Sequence, residues 1–599
     1  MLNLLIEYAH KHDLTVEPGF KPKQVRWAIV CDADGNYLQV IELGDKDQDR
    51  TNGKRFSKCP DLSQPEMKRA GPGSRHFLVD TAAVVALYGK DSNDQKLHEK
   101  HAYFVKLLRL ASESSPELKN IAAMIEKSDV VIRLQQDMKE RNAKETDNVT
   151  FAVSDSSVRF PVDFTTWHDW WRAFRHSLTR QDEVEGKKTS RKIDAKTRGG
   201  MRCLASGELV EPASTHPKIE GLSDVGGLSM GDSLASFKQD AFQSYGLSQS
   251  HNAPVSEEMA VAYRAGLNDL IKSHGRRLAG AKIVHWYSGS ENVKEEDDPL
   301  AFLLGEVNPK QEELVAQNRA RLLLEALRAG KRPDLAHYRY FVLTLSGVSG
   351  RVMVRDWTEG QFDTLVEHID KWFEDLAIIH SDGMRLAYEA KFMAVLGGLV
   401  RELKDLSPPL VTKMWRVAVK HEPIPLYAMV QALARTRVDI MKDKTLLHAR
   451  MGLLKAYHIR QGDKNMLPHL NEDHPHPAYH CGRLMAVLAD LQHAALGDVG
   501  AGIIQRYYAS ASATPALVLG NLTRLGQFHL NKLSERGLAF WYDNQIARIW
   551  SCIGEGVPKT LTLEEQSLFA LGYYQQKASR GGSAKQSVQI AENTEVKKS

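Results

Sequence analysis

The residues best suited to chemistry in this 599-residue chain lie at 469–481, in the run HLNEDHPHPAYHC. His469, His474, His476, His480 and Cys481 are all metal-ligating types. Ligands must converge on one point, and this run matches no standard zinc spacing. Pro475 and Pro477 also break any single helix that could carry the set. The favoured reading is a polar loop between helices. The alternative is a metal-dependent nuclease built on Asp473, His474 and His476. The run His98-Glu99-Lys100-His101 has the composition of a metalloprotease helix, but its histidines stand three apart. That motif needs them four apart, on one helix face. No phosphate-cradling Gly-rich loop ending in Gly-Lys-Ser/Thr occurs, and no G-x-S-x-G elbow. The acidic pair Asp297-Asp298 closes a charged run, 291–298, that reads as exposed. The expectation is therefore a binding protein with no catalytic residues, no cofactor and no metal.

The basic clusters carry more information. Residues 50–76 hold seven cations (Arg50, Lys54, Arg55, Lys58, Lys68, Arg69 and Arg75) against two acids, Asp61 and Glu66. Phosphates demand cations, and base edges demand amides or guanidinium groups. Asn52 and Gln64 supply amides, and Gly53, Gly71 and Gly73 allow close backbone approach. Asn52 and Lys54 are the candidates for base edges; Arg55, Lys68 and Arg69 are the candidates for phosphate. A second cluster, 186–202, holds Lys187, Lys188, Arg191, Lys192, Lys196, Arg198 and Arg202 against Asp194 alone. It has no apolar periodicity and reads as a mobile loop suited to tracking a DNA backbone. Trp167, Trp170, Trp171 and Phe174 lie beside Arg172, Arg175 and Arg180. They could stack bases, but their helical spacing favours a packed core.

These residues need elements to position them. Leu2–Lys11 reads as a short amphipathic helix. Residues 25–43 read as a hairpin turning at Asp34-Gly35. Residues 44–76 show no periodicity and read as a long loop. Residues 77–110 return to helix, with a stripe through Val84, Leu87, Leu107 and Leu108. Ala281–Tyr287 reads as a strand, and 338–357 as a hairpin in which Val352 and Val354 face inward. Beyond about 360 the chain reads as successive helices. Thr514-Pro515 marks one helix start, and the Thr562/Glu565 pair is a capping box. A stripe through Leu538, Trp541, Tyr542, Ile546, Ile549 and Trp550 marks another helix. The expected fold is α+β: an N-terminal mixed α/β part with β-hairpins, then a C-terminal all-α bundle. The expected boundaries are 1–200, 201–365, 366–578 with a separable portion from 485, and a disordered tail at 579–599.

Composition excludes little else. Lys and Arg number 79 against 75 Asp and Glu, a net charge of only +4, so local clusters decide the partners. Five scattered cysteines suit a reducing compartment. No basic n-region opens the chain, and the longest apolar run, Phe392 to Val400, is about half of the ~20 residues a spanning helix needs. A cytoplasmic protein without membrane contact is expected.

Nine segments in order resemble the large subunit of the type I-C CRISPR surveillance complex, Cascade. They are the hairpin near Gly35, FLVDTAAVVALYG at 77–89, CLASGE at 203–208, HPKIEG at 216–221, LASFKQDAFQSYG at 234–246, NAPVSEEMAVAYRAGLNDL at 252–270, IVHWYSG at 283–289, LSGVSGRVMVRDW at 345–357 and PAYHCGRLMAVLADLQHAALG at 477–497. Lys238 departs from the asparagine of that family, and the tail after 579 carries no family motif. The resemblance implies a non-catalytic subunit that recognises the protospacer-adjacent motif in duplex DNA and promotes R-loop formation. Its partners would be the CRISPR RNA with backbone, 5′-end and small subunits, and a separate helicase–nuclease. Its C-terminal helices would contact the displaced strand, for which Arg506, Arg524, Lys532, Arg536 and Arg548 are candidates. It also implies an internal translation start at Met485, with Met466 second, that yields a separate small subunit.

Overall fold

An all-apolar run such as Trp27–Cys31 must bury both faces, and in a computed structural model of the chain it forms a central strand. The structure describes every residue except 16, 45–52, 90–93, 155–157, 185–199, 214, 238, 243–244, 246, 248, 290–292, 295–296, 305–311, 388–390, 442–446, 500–501, 534 and 596–599. The chain forms two compact units, Met1–Glu220 with Met230–Asp269, and Gly221–Ser229 with Leu270–Ser599.

In the first unit, Trp27–Cys31 pairs antiparallel with Tyr37–Glu42, as the Asp34-Gly35 turn predicts. Gly35 takes φ +83°, and the Asp32 carboxylate accepts the Asn36 N–H at 2.8 Å, which closes the turn. On its other side Trp27–Cys31 runs parallel to Asn148–Val153. A parallel pair needs a crossover, and helices Gln95–Ala111, Glu117–Ile125 and Ser128–Glu140 lie within it. Val84, Leu107 and Leu108 are buried as expected. Leu87 instead ends the short helix Ala82–Ala86 in the left-handed region and is half-buried.

The long loop expected at 44–76 is corrected. Lys54–Pro60 is a strand paired antiparallel with Phe20–Val25, and Gln64–Arg69 is a helix capped by Ser63. The strand was hidden because its buried residues, Phe56, Cys59 and Pro60, do not alternate. The register slips opposite Pro22, which has no N–H to give the ladder.

The second unit joins sheet and helices in one core. Arg276–Leu278, Ala281–Tyr287, Arg339–Val348 and Arg351–Gln361 form an antiparallel meander. The last strand runs directly into helix Phe362–Leu376. Phe362, Val366 and Ile369 of that helix share a core with Ile283, Tyr287 and Val342 of the strands. Residues 201–220 lie in the first unit, and the residues on both sides of 365 lie in the second. The hairpin also corrects one inward residue. Leu345 pairs with Val354 but Thr344 with Asp356, so Arg355 is an extra residue that breaks the alternation. Val352 is buried, while Val354 is 40% exposed.

Helices fill the remainder. Pro477–Leu496 crosses Leu563–Glu595 through two glycines. A Cβ on Gly482 would stand 1.9 Å from the Phe569 carbonyl oxygen, and one on Gly572 2.0 Å from that of Tyr479. The Thr562/Glu565 capping box is present, with Thr562 N–H donating to the Glu565 carboxylate at 2.7 Å. Thr514 is the residue before the helix Pro515–Lys532, but its hydroxyl donates to Ser510 O at 3.0 Å instead of capping. Of the 538–553 stripe, Tyr542, Ile546 and Ile549 are buried, while Trp541 is 39% exposed. The helix that begins at Leu563 has its last residue at Glu595. Among the described residues, no helix is long and apolar enough to cross a membrane.

Candidate nucleic-acid interface

The sequence places most of its candidate base and phosphate ligands on or beside the strand Lys54–Pro60. Asn52 lies outside the described residues. Gly53 joins that stretch to the strand at φ +81°, where a Cβ would stand 2.2 Å from the Val25 carbonyl oxygen. Gln24 donates to the Gly53 carbonyl at 2.8 Å, which fixes the strand entry. No other residue type fits that position.

Beyond Gly53 the cations differ in freedom. Lys54 lies over two aromatic rings, 4.2 Å from the Phe160 centroid and 4.9 Å from that of Phe56. Its ammonium is thus pre-positioned by cation–π attraction. Arg55 and Lys58 are exposed, and no carboxylate among the described residues forms an ion pair with either. Within the described two-stranded sheet their strand has one unpaired edge.

The helix Gln64–Arg69 brings Lys68 and Arg69 into its last turn, with Lys68 exposed. Glu66 at its start is almost fully buried. It accepts the Ser63 N–H at 2.6 Å and pairs with Arg175 at 2.8 Å. Arg75 is half-buried, and one of its guanidinium nitrogens donates to Ser74 O at 3.5 Å.

The aromatic cluster is core. Trp167 and Trp171 are 0% exposed, and their indole N–H groups donate to Pro161 O and Gly19 O at 2.9 and 2.8 Å. Trp170 stacks on Phe174 with centroids 5.5 Å apart. Neighbouring Arg172 is paired with Glu17, and Arg175 bridges Glu66 and Glu257. The Arg172 hydrogen bond holds the Glu17 carboxyl below its ordinary range, and the charge of Lys58 adds to it. These arginines position secondary structure.

Of the second basic cluster, Lys187, Lys188, Arg191, Lys192, Lys196 and Arg198 lie outside the described residues. Arg202 sits on the two-residue strand Met201–Arg202 and donates to Gly207 O at 2.8 Å, tied into a turn.

In the second unit, Arg506, Arg524, Lys532, Arg536 and Arg548 are all exposed. They occupy the helices Ile503–Ala513, Pro515–Lys532 and Arg536–Ile553. The same helices expose Tyr507, Phe528, Phe540 and Trp541, aromatic residues the sequence did not single out as ligands. Met485 is 0% exposed, in the middle of helix Pro477–Leu496.

The run 469–481 is spent on local structure. His474 is buried, stacks on Tyr479 with centroids 4.5 Å apart, and accepts the His476 N–H at 3.1 Å. Burial pushes its imidazole below the ordinary value. His476 accepts the Ala478 N–H at 3.2 Å as a helix cap. Asp473 is exposed. No group of three or more metal-ligating side chains converges among the described residues. His101 faces inward, with Nδ1 2.8 Å from Val84 O. Asp298, expected in an exposed run, is instead a largely buried helix cap. It contacts His285 Nε2 at 2.9 Å and accepts the Leu300 N–H at 2.9 Å.

A search of curated proteins gives no match. The sequence profile of the CRISPR-associated protein family Cas_Csd1 matches residues 5–580, and the chain belongs to that family.

Proposed function

From membership of this CRISPR-associated family we propose that the chain is the non-catalytic large subunit of a type I-C RNA-guided surveillance complex. It recognises the protospacer-adjacent motif in duplex DNA, promotes R-loop formation and contacts the displaced strand. It works with the CRISPR RNA, its coating subunits and a separate helicase–nuclease. In such systems base pairing reads the long target, while protein reads only the short motif.

The observation that carries this reading is the strand Lys54–Pro60. It presents exposed Arg55 and Lys58 without ion-pair partners among the described residues, beside a pre-positioned Lys54. Exposed, unpaired cations keep their full charge for phosphate. Lys54, held at the strand entry, supplies the base-edge contact. The aromatic residues interleaved with cations on helices 503–553 suit a single strand, whose bases stack on rings while its backbone meets charge.

The test uses the assembled complex and duplexes with and without the correct motif. Lys54→Ala lowers discrimination between them by about 1–3 kcal/mol. Unaltered discrimination in Lys54→Ala overturns the base-edge assignment. The isolated chain incubated with divalent metal ions and duplex DNA cleaves nothing. Cleavage abolished by Asp473→Ala or His474→Ala would instead establish the nuclease.

A further inference from the structure

The first unit contains a groove of about 600 Å³, on neither the Lys54–Pro60 edge nor the aromatic core. It is lined by residues from 19–21, 61–68, 213–220, 230–237 and 249–264, with His76 and Arg175. Its four carboxylates, Asp61, Glu66, Glu220 and Glu257, are paired with three cations, which leaves one negative charge over. Asp61 lies 3.6 Å from Lys23, Glu220 2.9 Å from Lys21, and Glu66 and Glu257 share Arg175 at 2.8 and 2.6 Å. Lys68, Lys218 and Arg264 also line the groove, and none has an ion pair among the described residues. The lining thus holds five Lys or Arg against four carboxylates, and those three cations form a local patch that attracts anions.

The lining also has an apolar part. Phe237 is half-buried and Met230 is 75% exposed. The segment joining two groove-lining stretches carries Tyr245, 99% exposed at φ +52°, and Phe242, 41% exposed. An exposed aromatic side chain such as Tyr245 beside a cationic groove is the combination that single strands use, since every base has a π face and every linkage a charge. A volume of about 600 Å³ is within the usual range for small-ligand sites, about 300–1,000 Å³. That is the scale of a nucleotide or two, and too small for a duplex.

We propose that this groove holds a short single-stranded stretch of nucleic acid, with phosphates on Lys68, Lys218 and Arg264 and a base against Phe237 and Met230. The inference rests on the nucleic-acid-binding reading above and gives the same unit a second site, for a strand already separated. A duplex approaching the Lys54–Pro60 edge would be held by Arg55 and Lys58, and an unpaired strand in the groove chiefly by Lys218 and Arg264.

The experiment uses the full chain with fluorescent oligothymidylate, oligouridylate and a hairpin duplex, titrated over a range of salt. Lys218→Ala/Arg264→Ala loses about tenfold in single-strand affinity at low salt and flattens the salt slope by about 1.4, two phosphate contacts' worth. Its loss on the duplex is smaller. Phe237→Ala weakens single-strand binding while leaving the slope as it was, because stacking releases no counterions. A stronger response with oligothymidylate or with oligouridylate identifies the strand as DNA or RNA, and either supports the site. The inference is overturned if the wild-type chain binds no single strand, if the double variant binds it undiminished, or if single-strand and duplex affinities fall together. Arg55→Ala/Lys58→Ala, titrated with the duplex, tests the motif-facing strand separately, so the two readings fail independently. Thermal unfolding of each variant checks that the fold is retained.

Discussion

Arg55 and Lys58, on a strand of the first unit, stand in solvent with no ion pair among the described residues. Arg450 and Arg460, on helix His448–Arg460 of the second, have side chains only 2% and 3% exposed. Arg450 pairs with Asp439 at 2.7 Å and donates to Gly398 O at 2.7 Å. Arg460 pairs with Asp375 at 2.8 Å and donates to the carbonyls of Val417 and Glu422, both at 2.7 Å. The same guanidinium chemistry thus serves opposite ends. Desolvated and paired with a carboxylate, an arginine fixes how helices meet. Left wet and unpaired, it contributes little to the fold and keeps its charge for a partner. Counting basic residues does not locate a binding surface; counting those without an internal partner does.

The comparison is tested most severely by cutting into the buried polar network. Arg483 is 2% exposed and donates to Gln576 at 2.9 Å, and Tyr479 donates to Gln575 at 2.6 Å. A polypeptide begun at Met485 lacks both residues and Gly482. One begun at Met466 keeps all three. The Met466 polypeptide is expected to be soluble and cooperatively unfolding, and the Met485 polypeptide to be neither, as read by circular dichroism on heating. If a stable small subunit begins at Met485, the helix crossing is less important than its geometry indicates.

Next in size, Asp439→Ala leaves the Arg450 guanidinium buried without its counter-ion. It should cost about 3–5 kcal/mol in chemical denaturation. A loss below about 1 kcal/mol would place Arg450 among the wet arginines.

The third test is acid. Burial pushes His458 and His480 down to about 4 from an ordinary value near 6.5. Below 6.5 the unfolded chain takes up protons that the folded chain refuses. The stability from keeping these rings neutral is complete above 6.5 and is lost as pH falls through 4, about 3 kcal/mol for each ring. His458 has Nε2 2.5 Å from Ser567 Oγ, and His458→Gln should make the decline between pH 6.5 and 4 shallower. An unchanged slope would assign the acid sensitivity to other groups.

The smallest effect on stability belongs to the exposed side. Arg55→Ala and Lys58→Ala should each shift stability by less than about 0.5 kcal/mol, yet each should lower the salt slope of duplex binding by about one. Lost stability with an unchanged slope would reverse their assignment.

Local pattern made the helix Leu2–Lys11, the strand Ala281–Tyr287, the turn at Asp34-Gly35 and the Thr562/Glu565 cap legible, because each depends on residues within a few positions of one another. The strand Lys54–Pro60 was not legible: its partner lies some thirty positions earlier and its register slips at Pro22. Lys218 and Arg264 escaped notice for a related reason. Each is a lone cation in HPKIEG or AYRAGL, and only folding sets them around one groove. The sequence by itself determined the α+β class, the helical C-terminal half and the cations available for binding, since composition and period are properties of the chain. The tertiary structure alone decided which cations are buried against a carboxylate and which face water, because that choice depends on charges brought together from distant segments.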